Sequence, residues 1–194
     1  MRRLFLLVLL LALAGTSWAT DIKGKWGLGV GMGSTIWGLS GSEASLIRGK
    51  TERTAWILDM DIYESYQDFR SDTSGRLMYI DRELAVSLGP RIRRYTRPQA
   101  TLSPYWDSYF HLCGLNTGNS SNNYHRTAGA VAGLGCGVEY FTPWHFALAA
   151  HTGLFSASLN RVWDYNHYSN DQSKGWSQSV QLGFSPRLQL RVYF

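Results

Sequence analysis

Residues 180–194 read VQLGFSPRLQLRVYF, and this segment decides the fold class. Leu188, Leu190 and Val192 are apolar, whereas the residue that precedes each of them is polar or charged. Because successive side chains of a β-strand point to opposite faces, one face of this strand is apolar and the other is polar. The segment is therefore predicted to be a strand whose two faces meet different environments.

The same alternation recurs along the chain and predicts eight strands. Their expected bounds are 24–33, 35–46, 54–66, 80–96, 101–115, 126–141, 145–160 and 176–194. The second strand has the weakest pattern, because Trp37 is out of phase with Leu46. Pro90 and Pro186 interrupt two other strands, and since proline cannot donate a ladder hydrogen bond, a bulge or kink is expected at each. The pattern indicates an all-β fold.

The connections between these strands alternate in length. Residues 97–100 and 142–144 form short turns, whereas residues 67–79, 116–125 and 161–175 are longer and polar. Short turns at one rim and long loops at the other are typical of an up-and-down barrel. The fold class predicted is an eight-stranded antiparallel up-and-down β-barrel. Both chain ends then lie at the short-turn rim, which we expect to be periplasmic.

Such a barrel can stand in water or in lipid. A soluble lipocalin-type barrel buries its apolar face inside, whereas a transmembrane barrel turns that face toward acyl chains. The apolar faces of the strand cores carry no Asp, Glu, Lys or Arg, and aromatic residues such as Tyr140 and Trp144 gather at strand ends. The charged residues of the opposite face are Asp59, Asp61, Asp107, Glu139, Arg91, Arg187 and Arg191. These features favour a transmembrane β-barrel whose narrow interior is filled by paired charges.

The composition limits the function classes that remain. The chain has 194 residues, of which 44% are hydrophobic and 14% aromatic, so it is long enough for one packed or membrane-buried domain. Its net charge is +5, but the basic residues are scattered apart from a small cluster between Arg91 and Arg97. A nucleic-acid surface needs a concentrated basic face, so no nucleic-acid partner is expected.

The cysteines and two of the histidines lie on the predicted strands. Cys113 and Cys136 form no CxxC pair, which excludes a zinc pattern. The strand phase turns Cys113 inward and Cys136 outward, so we expect free thiols. His111 and His151 fall on the inward face, where an interior hydrogen bond is a commoner role than a metal or proton-relay site. No metal and no cofactor site is predicted.

The beginning of the chain has the pattern of an export signal. A basic pair at positions 2 and 3 precedes the apolar run 4–14, and small residues precede an expected cleavage after Ala19. The run is shorter than the ~20 residues that a spanning helix needs. We therefore expect a cleaved secretory signal peptide at 1–19 and a barrel domain at 20–194. The alternative is a buried N-terminal helix.

The last strand resembles the final strand of bacterial outer-membrane barrels. That family typically ends in Phe after alternating apolar residues, and here Phe194 follows Leu188, Leu190, Val192 and the penultimate Tyr193. Together with the signal peptide and the alternation, the chain resembles a small OmpA/OmpX-type barrel. The resemblance implies an outer-membrane location and contact with outer-membrane lipids, including lipopolysaccharide. It also implies recognition of the terminal strand by the barrel-assembly machinery.

A short motif raises the possibility of catalysis. His167, Ser169 and Asn170 form a His-x-Ser-Asn sequence that is similar to the catalytic stretch of lipid A deacylases. The similarity implies Ser169 as nucleophile and His167 as general base. No Glu follows Ser169, however, and the nearest acid is Asp171.

We predict no catalytic residue and expect a structural or interaction role through the exposed loops, with a plugged lumen. The alternatives are a lipid A-modifying, deacylase-like enzyme in the same fold and a soluble periplasmic lipocalin-like binding protein.

Overall fold

The fold is described from a computed structural model that covers most of the chain. The described residues are 22–34, 40–70, 77–98, 100–119, 124–142, 144–166 and 171–194. The expected signal peptide at 1–19 lies outside these ranges. No helix among the described residues is long and apolar enough to cross a bilayer.

Eight antiparallel strands form a closed barrel in which each strand pairs with the next and the last pairs with the first. The strands are β1 (Trp26–Ser34), β2 (Ser40–Gly49), β3 (Thr54–Arg70), β4 (Leu77–Tyr95), β5 (Leu102–Asn119), β6 (Tyr124–Phe141), β7 (Phe146–Asn166) and β8 (Asp171–Tyr193). The predicted all-β barrel with eight antiparallel strands is confirmed. We call the end of the barrel at Ile22 and Phe194 the terminal rim, and the end at Arg70, Asn119 and Asn166 the distal rim.

The second strand begins later than predicted. β2 starts at Ser40 instead of residue 35, and Trp37 lies outside the described residues. From Ser42 onward the phase is regular, with Leu46 outward and Glu43 buried. The residues at which the phase appeared to be lost, 35–39, lie outside the described residues.

Three segments that were predicted as long loops are largely strand. β3 runs to Arg70, β5 to Asn119 and β7 to Asn166, and the strands that follow begin within a few residues. Most of these extensions are polar, so an apolar alternation could not reveal them. Backbone pairing and contacts between polar and aromatic side chains, such as Asp164 with His125, continue the strands beyond the apolar part of the barrel.

The two prolines differ in their surroundings. Pro90 lies opposite Leu58 in an unbroken β3–β4 register. On its other side the β4–β5 pairing passes from Leu88 to Arg91 and skips Gly89 and Pro90, so the expected irregularity lies between β4 and β5. Pro186 lies opposite Thr152, and the β7–β8 register shifts between Gly153 and Phe155. This bulge accords with the irregularity expected near Pro186.

The bulge also reverses the phase of β7. Before it, Leu148 points outward; beyond it, Leu159 is exposed and Asn160 is buried. A single alternation therefore does not describe the whole strand, because one unpaired residue exchanges the two faces.

The apolar face of the sheet points outward. Leu188 and Leu190 are 54% and 49% exposed, whereas Arg191 between Leu190 and Val192 is 0% exposed. On the other strands too, the outward face carries exposed Leu, Val, Ile, Met and Trp, whereas the inward face carries mainly polar residues, glycine and alanine. This barrel therefore lacks the apolar interior of a lipocalin-type barrel.

Glycines make room inside the barrel for long side chains. The inward face of β1 is glycine at positions 27, 29, 31 and 33. On β6, Gly137 lies directly opposite Tyr105, whose phenol ring covers it. An added Cβ at Gly137 would overlap the Tyr105 hydroxyl and the Ala150 carbonyl oxygen. The interior is thus packed by large residues of one strand over glycines of its neighbour.

Replacing Gly137 by valine is expected to destabilise the barrel by about 1–3 kcal/mol, because the branched side chain forces Tyr105 away from its packed position. The matched control is Gly175→Val, since a Cβ at Gly175 meets nothing within 4 Å. Thermal unfolding followed by circular dichroism measures both variants. Equal midpoints for the two variants would contradict the packing role of Gly137.

Candidate functional site

The barrel interior holds a continuous network of buried charges. Its carboxylates are Glu43, Asp59, Asp61, Asp107 and Glu139, and its guanidiniums are Arg91, Arg93, Arg187 and Arg191. Every one of these side chains is at most 8% exposed. An isolated buried charge is costly, so the stability of this interior depends on how completely the two signs are paired.

Glu139 is the acceptor at the level nearest the terminal rim. One of its carboxylate oxygens lies 2.8 Å from Arg93 Nη1 and 2.9 Å from Arg191 Nη1. The Tyr95 hydroxyl donates to the same oxygen at 2.7 Å, and the Tyr193 hydroxyl donates to the other at 2.6 Å. One carboxylate on β6 thus ties together β4 and β8.

Asp107 is the next acceptor along the barrel axis. Arg93 donates to it from Nε at 3.0 Å and from Nη2 at 3.1 Å, in the two-pronged geometry that suits guanidinium and carboxylate. Arg91 Nη1 lies 3.4 Å from the carboxylate, and His151 Nδ1 lies 3.2 Å from it. Arg93 therefore bridges Glu139 and Asp107, and Asp107 continues the network to Arg91.

The third level connects the first strands with the last. Arg91 Nε lies 2.6 Å from Asp59 Oδ2. Glu43 and Asp61 are cross-strand neighbours of like charge, and Arg187 Nη1 lies between them, 3.2 Å from Glu43 and 3.1 Å from Asp61. Because the Arg187 guanidinium contacts both carboxylates, β8 is held against β2 and β3.

An apolar and aromatic cluster lies beneath the charges at the terminal rim. Its members are Ile22, Ile47, Ala55, Ile57, Tyr95, Tyr105, Phe141, Ala147 and Tyr193. The Arg93 guanidinium lies 3.5 Å from the Tyr105 ring centroid, so the cluster also contacts the network. Aromatic residues near this rim divide between this buried cluster and the outer surface, where Trp26 and Trp106 are exposed.

Most of the network was visible in the sequence, and two members were missed. The seven charged residues assigned to the inward face are all in the network. Glu43 was missed because the phase of β2 was misjudged, and Arg93 because the alternation was not continued past Arg91. Counting two residues on from Arg91, and two back from Ser45, would have found both.

The two inward-facing histidines lie beside carboxylates of the charge network, and the two cysteines are not bonded to each other. His151 contacts Asp107, and His111 lies 3.8 Å from Asp59. No cluster of three metal-binding side chains occurs among the described residues. Cys113 and Cys136 are free thiols, as expected. Cys113 is buried on β5, whereas Cys136 on β6 pairs with Trp106 at a distant level of the sheet.

His167 and Ser169 lie outside the described residues. A different carboxylate–imidazole–hydroxyl line is present near the distal rim, where Asp164 contacts His125 Nδ1 and His125 Nε2 lies 3.3 Å from Thr127 Oγ1. The order of contacts is that of a hydrolase triad. Thr127 is buried, however, with only 6% of its surface exposed, so its hydroxyl is poorly accessible to a substrate. The line braces β6 against β7.

Solved structures share this architecture. The N-terminal β-barrel domain of OprF from Pseudomonas aeruginosa aligns with a TM-score of 0.55 at 13% identity, over 89% of this chain and 98% of that one. A major outer membrane protein from Thermus thermophilus aligns with a TM-score of 0.51 at 11% identity, over 88% and 98%. No protein-family model and no curated protein sequence matches the chain. At these identities the likeness establishes the eight-stranded barrel fold.

Removing the charge of Glu139 is expected to destabilise the barrel by about 3–5 kcal/mol, because Glu139→Gln leaves Arg93 and Arg191 buried with one carboxylate fewer. The matched control is Glu64→Gln, since Glu64 lies on the exposed face of β3. We expect a change within about 0.5 kcal/mol there. Urea unfolding followed by tryptophan fluorescence measures both. A Glu139 variant as stable as its control would refute the role of the network.

Proposed function

We propose that this chain is an integral outer-membrane β-barrel protein with a structural or interaction role and no catalytic activity. The observation that carries the proposal is the inverted polarity of a closed barrel. Apolar side chains cover the outside, while paired charges fill the inside. Lipid requires this arrangement, because every backbone polar group must be paired within the protein and the outer surface must be apolar.

The outer surface also carries exposed tryptophans beside cations at the terminal rim, which is the composition typical of a membrane–water interface. At the terminal rim, Trp26, Trp56 and Trp106 are exposed on the outward face. The Arg48 guanidinium lies 4.7 Å from the Trp26 ring, and Lys50 Nζ lies 5.9 Å from the Trp56 ring. Aromatic rings flanked by cations favour the interface between acyl chains and water. This arrangement supports placing the terminal rim at a membrane surface.

The solved structures of the same fold support the location. One matched chain is described as a major outer membrane protein, and the other as the N-terminal β-barrel domain of OprF. Because the strand count is even, both chain ends lie at the terminal rim, which we place on the periplasmic side. The extended strands of the distal rim then face the outside of the cell. Export would use the signal peptide expected at 1–19, and membrane insertion would use the terminal strand, which the barrel-assembly machinery recognises in the resembling family.

The proposal includes a plugged lumen. Arg93, Asp107 and Glu139 are completely buried and bridge across the interior from β4 to β5 and β6. An eight-stranded barrel is only wide enough for side chains to fill it. We therefore expect the purified protein to produce no porin-like current steps in a planar bilayer, and regular steps would contradict this part of the proposal.

A cation placed on the outward face distinguishes a membrane barrel from a soluble one. We expect Leu190→Arg to impair folding into lipid vesicles by about 2–4 kcal/mol, because the charge lies within the acyl-chain region. Gln172→Arg, which places the same charge on the exposed distal part of β8, is the control and should fold normally. The folded fraction is read from the different gel mobility of unheated and boiled samples in SDS. A soluble barrel would tolerate Leu190→Arg, show no mobility difference and remain soluble without detergent.

A further inference from the structure

Positive charge collects at the terminal rim of the barrel. Exposed or half-buried cations of its turns and strand ends include Arg48, Lys50, Arg53, Arg94 and Arg97. Among the described residues of this rim, Glu52 is the one exposed acidic side chain. The interior carboxylate nearest the rim, Glu139, is buried and paired with interior guanidiniums. The rim therefore presents an excess of positive charge, which attracts a partner of the opposite sign.

Two of these cations lie beside tryptophan rings on the outward face. In the cross-strand register, Arg48 of β2 lies between Trp26 of β1 and Trp56 of β3. The guanidinium carbon of Arg48 lies 4.7 Å from the centroid of the Trp26 ring, and Lys50 Nζ lies 5.9 Å from the centroid of the Trp56 ring. In the part of the chain that the structure describes, no carboxylate forms an ion pair with Arg48 or Lys50. Their charges are therefore available to an anion outside the barrel.

A pocket opens on the outward face between these residues. Its volume is about 300 Å³, which is within the range of ligand sites. Arg48, Trp26 and Trp56 line it near the rim. The side chains that line it farther from the rim are apolar, and they are Leu46, Leu58, Pro90 and Ile92. The pocket thus joins a cationic end at the rim to an apolar end on the surface that faces acyl chains.

The two ends of the pocket together indicate which partner it fits. A soluble anion would contact the cations but would leave the apolar end uncovered. An amphiphile with a phosphate above its acyl chains contacts both ends. The planar guanidinium of Arg48 suits two oxygens of one phosphate, and tryptophan rings favour the depth at which such headgroups meet the acyl chains.

We propose that this pocket binds an anionic glycerophospholipid, of the phosphatidylglycerol class, in the leaflet at the terminal rim. The phosphate contacts Arg48 and Lys50, and one acyl chain lies over Leu46 and Leu58. The inference rests on the proposed membrane location, because a bilayer is what brings lipid phosphates level with Trp26 and Trp56. It adds a headgroup preference at one place on the barrel, which contact with bulk lipid does not provide.

The test compares two lipids that differ only in their headgroup. The folded full-length protein in detergent micelles is titrated with phosphatidylglycerol, and separately with zwitterionic phosphatidylethanolamine that has the same acyl chains. Native mass spectrometry measures both dissociation constants, and their ratio cancels the contacts of the acyl chains. We expect the wild-type protein to bind phosphatidylglycerol at least about fivefold more tightly, which is the contribution of one basic residue to the attraction of an anionic lipid.

Two double variants locate the preference on the barrel. Arg48→Gln/Lys50→Gln removes the two cations of the pocket and should bring the two dissociation constants within about twofold of each other. The matched control is Arg126→Gln/Lys174→Gln, which removes two exposed cations at the distal rim and should keep the wild-type ratio. The single variant Arg48→Lys keeps the charge, so it should keep the preference for phosphatidylglycerol.

A further variant tests the apolar end of the pocket. In Leu46→Trp the indole ring fills the space over Leu58 while both cations remain. Both lipids should then bind more weakly, and the ratio of their dissociation constants should persist. Leu46 is exposed on the outward face, so the barrel accommodates the larger side chain.

The inference is wrong if the wild-type protein binds the two lipids equally, if the two double variants have the same ratio, or if Leu46→Trp changes neither dissociation constant. The gel-mobility difference between unheated and boiled protein is measured on every variant. When that difference is intact and the headgroup has no effect, only the lipid site is wrong. When the wild-type protein shows no such difference, the membrane proposal itself is wrong.

Discussion

Arg93 bridges two buried carboxylates, Asp107 and Glu139, and the rest of the barrel interior is built around this contact. Turning the apolar face outward leaves the inside to polar groups, and a narrow interior leaves little water to solvate them. Each charge must then find an opposite charge on another strand. Pairing of charges across strands is consequently a condition of closing this barrel around such an interior.

The packing of the interior follows from the same condition. Arginine and tyrosine side chains are long, and eight strands enclose little space. Glycine on β1 and β6 supplies the missing volume, as where Tyr105 covers Gly137. The charged network and the glycines are therefore two parts of one solution. Long side chains reach their partners only because glycine on the neighbouring strand has no side chain to occupy that space.

The outer surface divides the molecule by environment. Its apolar part has no need of specific partners, whereas the terminal rim carries cations, tryptophan rings and a pocket. Arg48 and Lys50 differ from Arg93 in this respect, because the interior neutralises Arg93 and no described acid pairs with the other two. Arginine thus stabilises the fold where it is paired inside the barrel, and presents a positive charge to the surroundings where it lies outside.

The amino-acid sequence by itself determined the number of strands and the face on which most residues lie, as at Leu190 and Arg191. These properties are local, since side-chain alternation acts between neighbours in the chain. It did not determine the polar strand extensions, which backbone pairing creates without an apolar pattern. Only the tertiary structure decided that Arg187 joins Glu43 to Asp61, that one bulge reverses β7, and that Arg48 lies between Trp26 and Trp56. Those features depend on register and barrel closure, which bring together residues that are distant in the chain.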